Sequence, residues 1–126
     1  MVYWITGRKG AGKTTLAMKL AKKLKARGKS VLILDGDDVR ERISDPGYSD
    51  AARWKHIDLV SRIAALAESQ GIIVIVAMVS PRAIWRIAAR KKFKESRLIY
   101  LPGGELWPGT IYEEPSKNER RYWNGK

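Results

Sequence analysis

The segment Gly7-Arg8-Lys9-Gly10-Ala11-Gly12-Lys13-Thr14 constrains this chain more than any other. It satisfies every fixed position of G-x-x-x-x-G-K-[ST], the phosphate-binding P-loop. The apolar run Val2-Tyr3-Trp4-Ile5 precedes it and a helix-forming run, residues 16–27, follows it. That strand–loop–helix setting is the one the motif needs. Glycines let the backbone turn tightly and aim its N–H groups at phosphate oxygens, and the following helix adds its N-terminal partial charge. Lys13 is placed to reach the β- and γ-phosphates, and the Thr14 hydroxyl to hold Mg²⁺. The candidate nucleotide-binding residues are therefore Gly7, Arg8, Lys9, Gly10, Ala11, Gly12, Lys13, Thr14 and Thr15.

Around this loop the chain alternates strand and helix patterns. Residues 2–6 read as a buried strand. Residues 13–27 read as a helix with Leu16, Leu20 and Leu24 on one stripe, stopped by Gly28. A second strand at residues 30–34 is followed by a short helix at 38–44 and a turn at Asp45-Pro46-Gly47. A longer helix spans 50–70, with Ser49 or Asp50 as its N-cap and Ile57, Val60, Ile63, Ala64 and Ala67 inward. Residues 72–79 are apolar throughout and predict a strand buried on both faces. A helix at 83–93 is expected to turn Ile84, Ile87 and Ala88 inward, and a strand follows at 97–101. Alternation of this kind predicts an α/β fold of the P-loop NTPase type. Its sheet is doubly wound and mostly parallel, of four to five strands, with helices on both faces.

With 126 residues there is room for one domain, placed at 1–116, and a short basic tail at 117–126 that Tyr122 and Trp123 could dock. There is no cysteine, which excludes disulfides and thiolate metal sites and suits a cytoplasmic location. A strand and P-loop at the very start leave no room for a signal peptide. No apolar run approaches the ~20 residues of a membrane span.

A P-loop alone leaves kinases, GTPases and ATPases open. No N/T-K-x-D segment is present to read guanine, and the strand at 72–79 ends in Ser80-Pro81 rather than an acidic residue. Carboxylates instead follow the second strand, in Asp35-Gly36-Asp37-Asp38-Val39-Arg40. Ligands of open α/β sheets bind at the carboxyl ends of strands. Transfer to a hydroxyl needs Mg²⁺, cations on the phosphate oxygens and a carboxylate to orient or deprotonate the nucleophile. Asp37 is the candidate base, Asp35 the candidate support for Mg²⁺ through water or Lys13, and Arg40 a candidate grip on an anionic acceptor group. Turn and N-cap chemistry is the competing explanation for the two aspartates.

Four stations together resemble the adenylylsulfate kinase family: GRKGAGKTT at 7–15, LDGDDVR at 34–40, PGYS at 46–49 and GIIVIVAMVSP at 71–81. The similarity covers roughly residues 3–90. It implies a P-loop kinase fold, often dimeric, that transfers the γ-phosphate of ATP to the 3′-hydroxyl of adenosine 5′-phosphosulfate with Mg²⁺, in sulfate assimilation. By position it implies Asp37 near the acceptor hydroxyl and Arg40 and Arg53 on the acceptor. Tyr48 stands in place of a stacking Phe, and Ser80 serves backbone contacts and cleft shape. Two departures stand out. His56 occupies the place of a family Asn, which changes a candidate substrate contact. Leu101 runs almost at once into Pro102-Gly103-Gly104, where the family carries a long lid. The family pattern resumes near Thr110-Ile111-Tyr112-Glu113-Glu114-Pro115. Loss of a lid predicts slow transfer, a replacement cation, or a larger acceptor.

The net charge of +12 makes nucleic acid a candidate partner. Arg82, Arg86 and Arg90 recur on one helix face with Lys94 a turn on, a stripe able to track a phosphate backbone or simply to face water. Asp37-Asp38-Val39-Arg40 also resembles the D-D-x-R of polynucleotide 5′-hydroxyl kinases. An open-cleft nucleotide kinase and a non-catalytic ATP-binding module therefore stand beside the first reading.

Overall fold

In the computed structural model, which describes residues 1–106 and 111–121, the elements follow the expected order with one helix added. They are β1 (Val2–Gly7), α1 (Lys13–Ala26), β2 (Val31–Asp35), α2 (Gly36–Arg42), α3 (Asp50–Ser69), β3 (Ile73–Ala77), α4 (Ala83–Arg90), β4 (Ser96–Leu101) and α5 (Lys117–Arg121). The four strands form one parallel sheet in the order β2-β3-β1-β4. Alternate residues of each strand face opposite layers. Val2, Trp4, Val74, Val76 and Leu98 meet Ile57, Val60 and Ala64 of α3 and Ala89 of α4. Ile5, Ile75 and Ala77 meet Ala17 and Ala21 of α1, flanked by Leu16, Leu20 and Leu24. The P-loop, Asp35 and Ser80 therefore follow three neighbouring strands and share the sheet's carboxyl edge.

Helix boundaries follow local capping. α2 starts two residues earlier than its sequence pattern suggests, because Asp35 caps it by accepting from the Asp37 N–H at 2.9 Å. α3 is capped by Ser49, whose hydroxyl accepts from the Ala52 N–H at 3.1 Å. Strand β3 ends at Ala77, short of the expected 79, where the chain turns out of the sheet toward Ser80.

Helix α4 lies the other way round from the expectation. Arg86 and Arg90 are fully buried, whereas Ile84 is 70% and Ile87 37% exposed. Buried guanidinium groups are tolerated only when their donors are satisfied. Here Arg86 Nε and Nη2 donate to both oxygens of Glu119, at 2.7 and 3.0 Å. Arg90 Nε donates to Ser96 Oγ at 3.0 Å and Nη1 to the Glu119 carbonyl at 3.2 Å. Arg86 and Arg90 thus belong to an internal polar seam and offer no track for a nucleic-acid backbone, while Arg82 pairs at the surface with Asp50 at 2.7 Å. The seam's anion comes from the expected tail. Residues 117–121 form α5, packed beside β4 with Glu119 buried. Tyr122 and Trp123 lie outside the described residues. No helix among the described residues is long and apolar enough to cross a membrane.

Candidate active site

The P-loop leaves β1 and turns through Gly10 (φ 77°) and Gly12 (φ 101°), backbone conformations that a Cβ disfavours. Gly12 stands at the N-cap of α1 and supplies no side chain to its first N–H groups. Those donors are left for an anion. Lys13 Nζ folds back on the loop and donates to the Arg8 carbonyl at 2.8 Å. Partial burial lowers the Lys13 pKa, and Asp35 and Asp37 oppose that shift.

Asp35 joins the loop to α2. Its Oδ2 accepts from the Thr14 hydroxyl at 2.7 Å while its Oδ1 caps α2. Capping and a candidate metal role therefore use different oxygens of one carboxylate. The donor set suits Mg²⁺, a hard cation that takes one or two protein oxygens and completes its shell with phosphate and water. No cluster of three or more acidic or histidine groups forms a metal cage among the described residues. Asp37, at the second position of α2, is exposed and makes no side-chain hydrogen bond or ion pair among the described residues.

A cleft of about 400 Å³ runs from the P-loop to α3. It is lined by every candidate residue except Gly7 and Ala11. Gly7 instead sits at the end of β1, where a Cβ would meet the Leu101 carbonyl at 2.6 Å. At the far end Arg40 Nη1 donates to Asp45 Oδ1 at 2.9 Å and to the Gly47 carbonyl at 2.7 Å. The Arg40 guanidinium also lies 4.2 Å from the Tyr48 ring centroid. Arg53 Nε donates to the Tyr48 carbonyl at 3.0 Å. The two arginines thus shape the 45–48 turn and leave Tyr48 about half exposed.

His56 and Ser80 are more buried than a simple contact residue would be. His56 is 3% exposed, and its Nε2 lies 2.9 Å from the Gly36 carbonyl. A carbonyl only accepts, so Nε2 carries the proton and Nδ1 is the bare nitrogen. Nδ1 is buried without a partner among the described residues. Burial, with Arg40 second, lowers the His56 pKa against the opposing Gly36 hydrogen bond, Asp45 and Asp37. Ser80 Oγ accepts from Trp4 Nε1 at 3.0 Å and lies 3.1 Å from Thr6 Oγ1. Thr6 donates its one proton to the Val79 carbonyl at 2.6 Å. Tyr112 must therefore be the donor in its 2.9 Å contact with Thr6.

Trp4, Thr6 and Tyr112 carried no signal of this role in the sequence. Nor did residues 104–106, which follow β4. Glu105 N donates to the Lys9 carbonyl at 2.8 Å, and Glu105 and Leu106 line the cleft. Gly104 makes that approach feasible, since a Cβ there would come within 2.6 Å of the Lys9 oxygen.

Residues 1–102 match the family model described as adenylylsulphate kinase. The chain is 46% identical over 100 residues to a probable adenylyl-sulfate kinase of Archaeoglobus fulgidus, covering 79% of this chain and 64% of that protein. It is 44% identical over 99 residues to a probable adenylyl-sulfate kinase of Pyrococcus abyssi, covering 78% and 57%. It therefore spans about three-fifths of the length of these relatives. The solved structure of the Mycobacterium tuberculosis APS kinase CysC in complex with AMPPNP and APS superposes with a TM-score of 0.76 at 33% identity, covering 79% of this chain and 61% of that one. On the family-model match over residues 1–102, the identities of 44–46% and the shared fold, this chain belongs to the adenylylsulphate kinase family.

Proposed function

We propose that this chain is an ATP- and Mg²⁺-dependent kinase that phosphorylates the 3′-hydroxyl of adenosine 5′-phosphosulfate. One observation carries the reading. Thr14 and Asp35 meet at 2.7 Å beside Lys13, while the neighbouring Asp37 carboxylate stands unengaged at the same cleft. Family membership and the relative that binds AMPPNP and APS support the choice of substrates.

In this reading the P-loop amides and Lys13 bind the β- and γ-phosphates. Thr14 and Asp35 would hold Mg²⁺, which would supply positive charge to the phosphate oxygens. The acceptor occupies the end lined by Arg40, Tyr48 and Arg53, with its ring against the exposed face of Tyr48. Asp37 accepts the hydroxyl proton as the hydroxyl oxygen bonds to the γ-phosphorus. The bond from that phosphorus to the β–γ bridging oxygen breaks, and ADP leaves. His56 serves the cleft through the backbone between the two aspartates, and Ser80 through the shape of its floor.

The test uses γ-labelled ATP and Mg²⁺ with adenosine 5′-phosphosulfate in one tube and a 5′-hydroxyl oligonucleotide in another. Label is expected in the first only. Asp37→Asn should lower transfer at least about 100-fold while leaving ATP binding within a factor of two. Label in the oligonucleotide alone, or full activity in Asp37→Asn, would overturn the assignment.

A further inference from the structure

Ser80 has a backbone φ of 42°, the left-handed region that a residue with a Cβ avoids. It forms part of the cleft floor, so its shape is set against local preference and has to be held by its surroundings. The carbonyl of Ser80 accepts from Arg86 Nη1 at 2.7 Å. Arg86 is fully buried, and its other donors reach residues beyond β4. Nε and Nη2 grip the two Glu119 oxygens, and Nη2 also donates to the Glu113 carbonyl at 2.7 Å. Glu113 closes a ring around the same turn. Its N–H donates to the Pro81 carbonyl at 2.7 Å, and its Oε1 accepts from the Ala83 N–H at 2.9 Å.

We propose that Arg86 is a positioning residue for the acceptor half of the cleft, locked by Glu119 of α5 so that it holds the Ser80 turn in its left-handed form. Helix α5 thereby sets acceptor affinity from beside the edge strand β4, without touching the acceptor. The planar fork matters because one guanidinium must serve a carboxylate and two carbonyls in fixed directions. Nucleotide affinity is independent of this lock, since the P-loop is braced from elsewhere, through the Lys9 and Glu105 backbones. The effect on acceptor affinity rests on the kinase reading above, whereas the lock on the turn does not.

The decisive variant is Arg86→Met with Glu119→Leu. Replacing a buried ion pair by apolar side chains of similar size is often neutral for stability, so the fold should survive while the Ser80 carbonyl loses its clamp. Amide exchange should quicken in peptides covering residues 76–84 and stay unchanged over residues 7–14. The KM for adenosine 5′-phosphosulfate should rise about tenfold or more, with the KM for ATP within about twofold. Arg86→Lys, which keeps the charge but not the fork, should show the same split in smaller measure, and it serves if the double variant does not fold. Unchanged exchange at 76–84, or faster exchange there with an unchanged acceptor KM, overturns the proposal. A wild-type protein that does not phosphorylate adenosine 5′-phosphosulfate sinks the kinase reading instead, and the exchange comparison still decides the lock.

Discussion

Asp35 offers the sharpest separation of structure from chemistry, because its two oxygens have different partners. Oδ1 caps α2 through the Asp37 N–H and Oδ2 accepts from Thr14. Asparagine keeps one accepting oxygen and is as good an N-cap as aspartate, so Asp35→Asn should cost under about 1 kcal/mol. Alanine removes both contacts. The cap is worth about 0.5–2 kcal/mol, and the Thr14 bond, which water can replace at this exposed site, adds only the low end of about 0.5–1.5 kcal/mol. The sum is about 1–2.5 kcal/mol. At about 4 °C per kcal/mol for a domain of this size, Tm should fall about 4–10 °C in Asp35→Ala and less than about 4 °C in Asp35→Asn. Without metal the carboxylate repels the triphosphate, and with Mg²⁺ it helps hold the cation. Both variants should therefore bind MgATP about tenfold or more weakly, relative to metal-free ATP, than the wild type does. Taking the ratio cancels the loss that both ligands suffer when Lys13 loses one of the charges that raise its pKa. Thermal melts and calorimetric titrations with and without Mg²⁺ measure both effects. An unchanged MgATP-to-ATP ratio refutes the metal assignment, and equal Tm values for the two variants refute the cap.

The inverted helix α4 predicts opposite outcomes at neighbouring positions. Glu119→Ala leaves a buried, unpaired Arg86 and should cost about 3–5 kcal/mol, seen as a Tm drop of about 12–20 °C, whereas the exposed Ile84→Glu should stay within about 0.5 kcal/mol. Comparable losses at the two positions would mean that the helix packs by its isoleucines. His56 predicts a pH dependence. Burial first, then Arg40, holds its pKa below the ordinary value, so the unfolded chain binds the proton more readily. Its contribution is full above about pH 6.5 and is lost as pH falls below that toward the folded-state pKa. Urea melts of wild type and His56→Asn between pH 7.5 and 5.5, a range of about two pH units, should show the steeper decline in the wild type. Parallel curves would remove His56 as the cause.

The P-loop side of the cleft was legible in the sequence. The P-loop is a local code in which glycine spacing, Lys13 and Thr14 lie within one turn and one helix start. The carboxylates after β2 were legible for the same reason, since a short apolar run followed by Asp-Gly-Asp fixes both the strand end and the next cap. The far side of the cleft was less legible. Arg40, Tyr48 and Arg53 were named, but their mutual stacking and the Asp45 contact arise only when the 45–48 turn folds against α2 and α3. His56 lines the cleft, but its hydrogen bond to the Gly36 backbone, 20 residues away, has no signal in the sequence.

What the sequence determined alone is whatever repeats or recurs within a few residues: the element order, the parallel α/β class and the phosphate loop. Helix α4 shows where that reach ends. Its periodicity offers two faces, one of arginines and one of isoleucines, and local hydropathy chooses the isoleucines for the core. The fold chooses the arginines, because Glu119 arrives from 33 residues further on with a carboxylate that satisfies a buried guanidinium, and because Ser80, Glu113 and Ser96 supply the remaining acceptors. A charge becomes a core residue only when its partners come with it, and the sequence does not state where in space those partners meet.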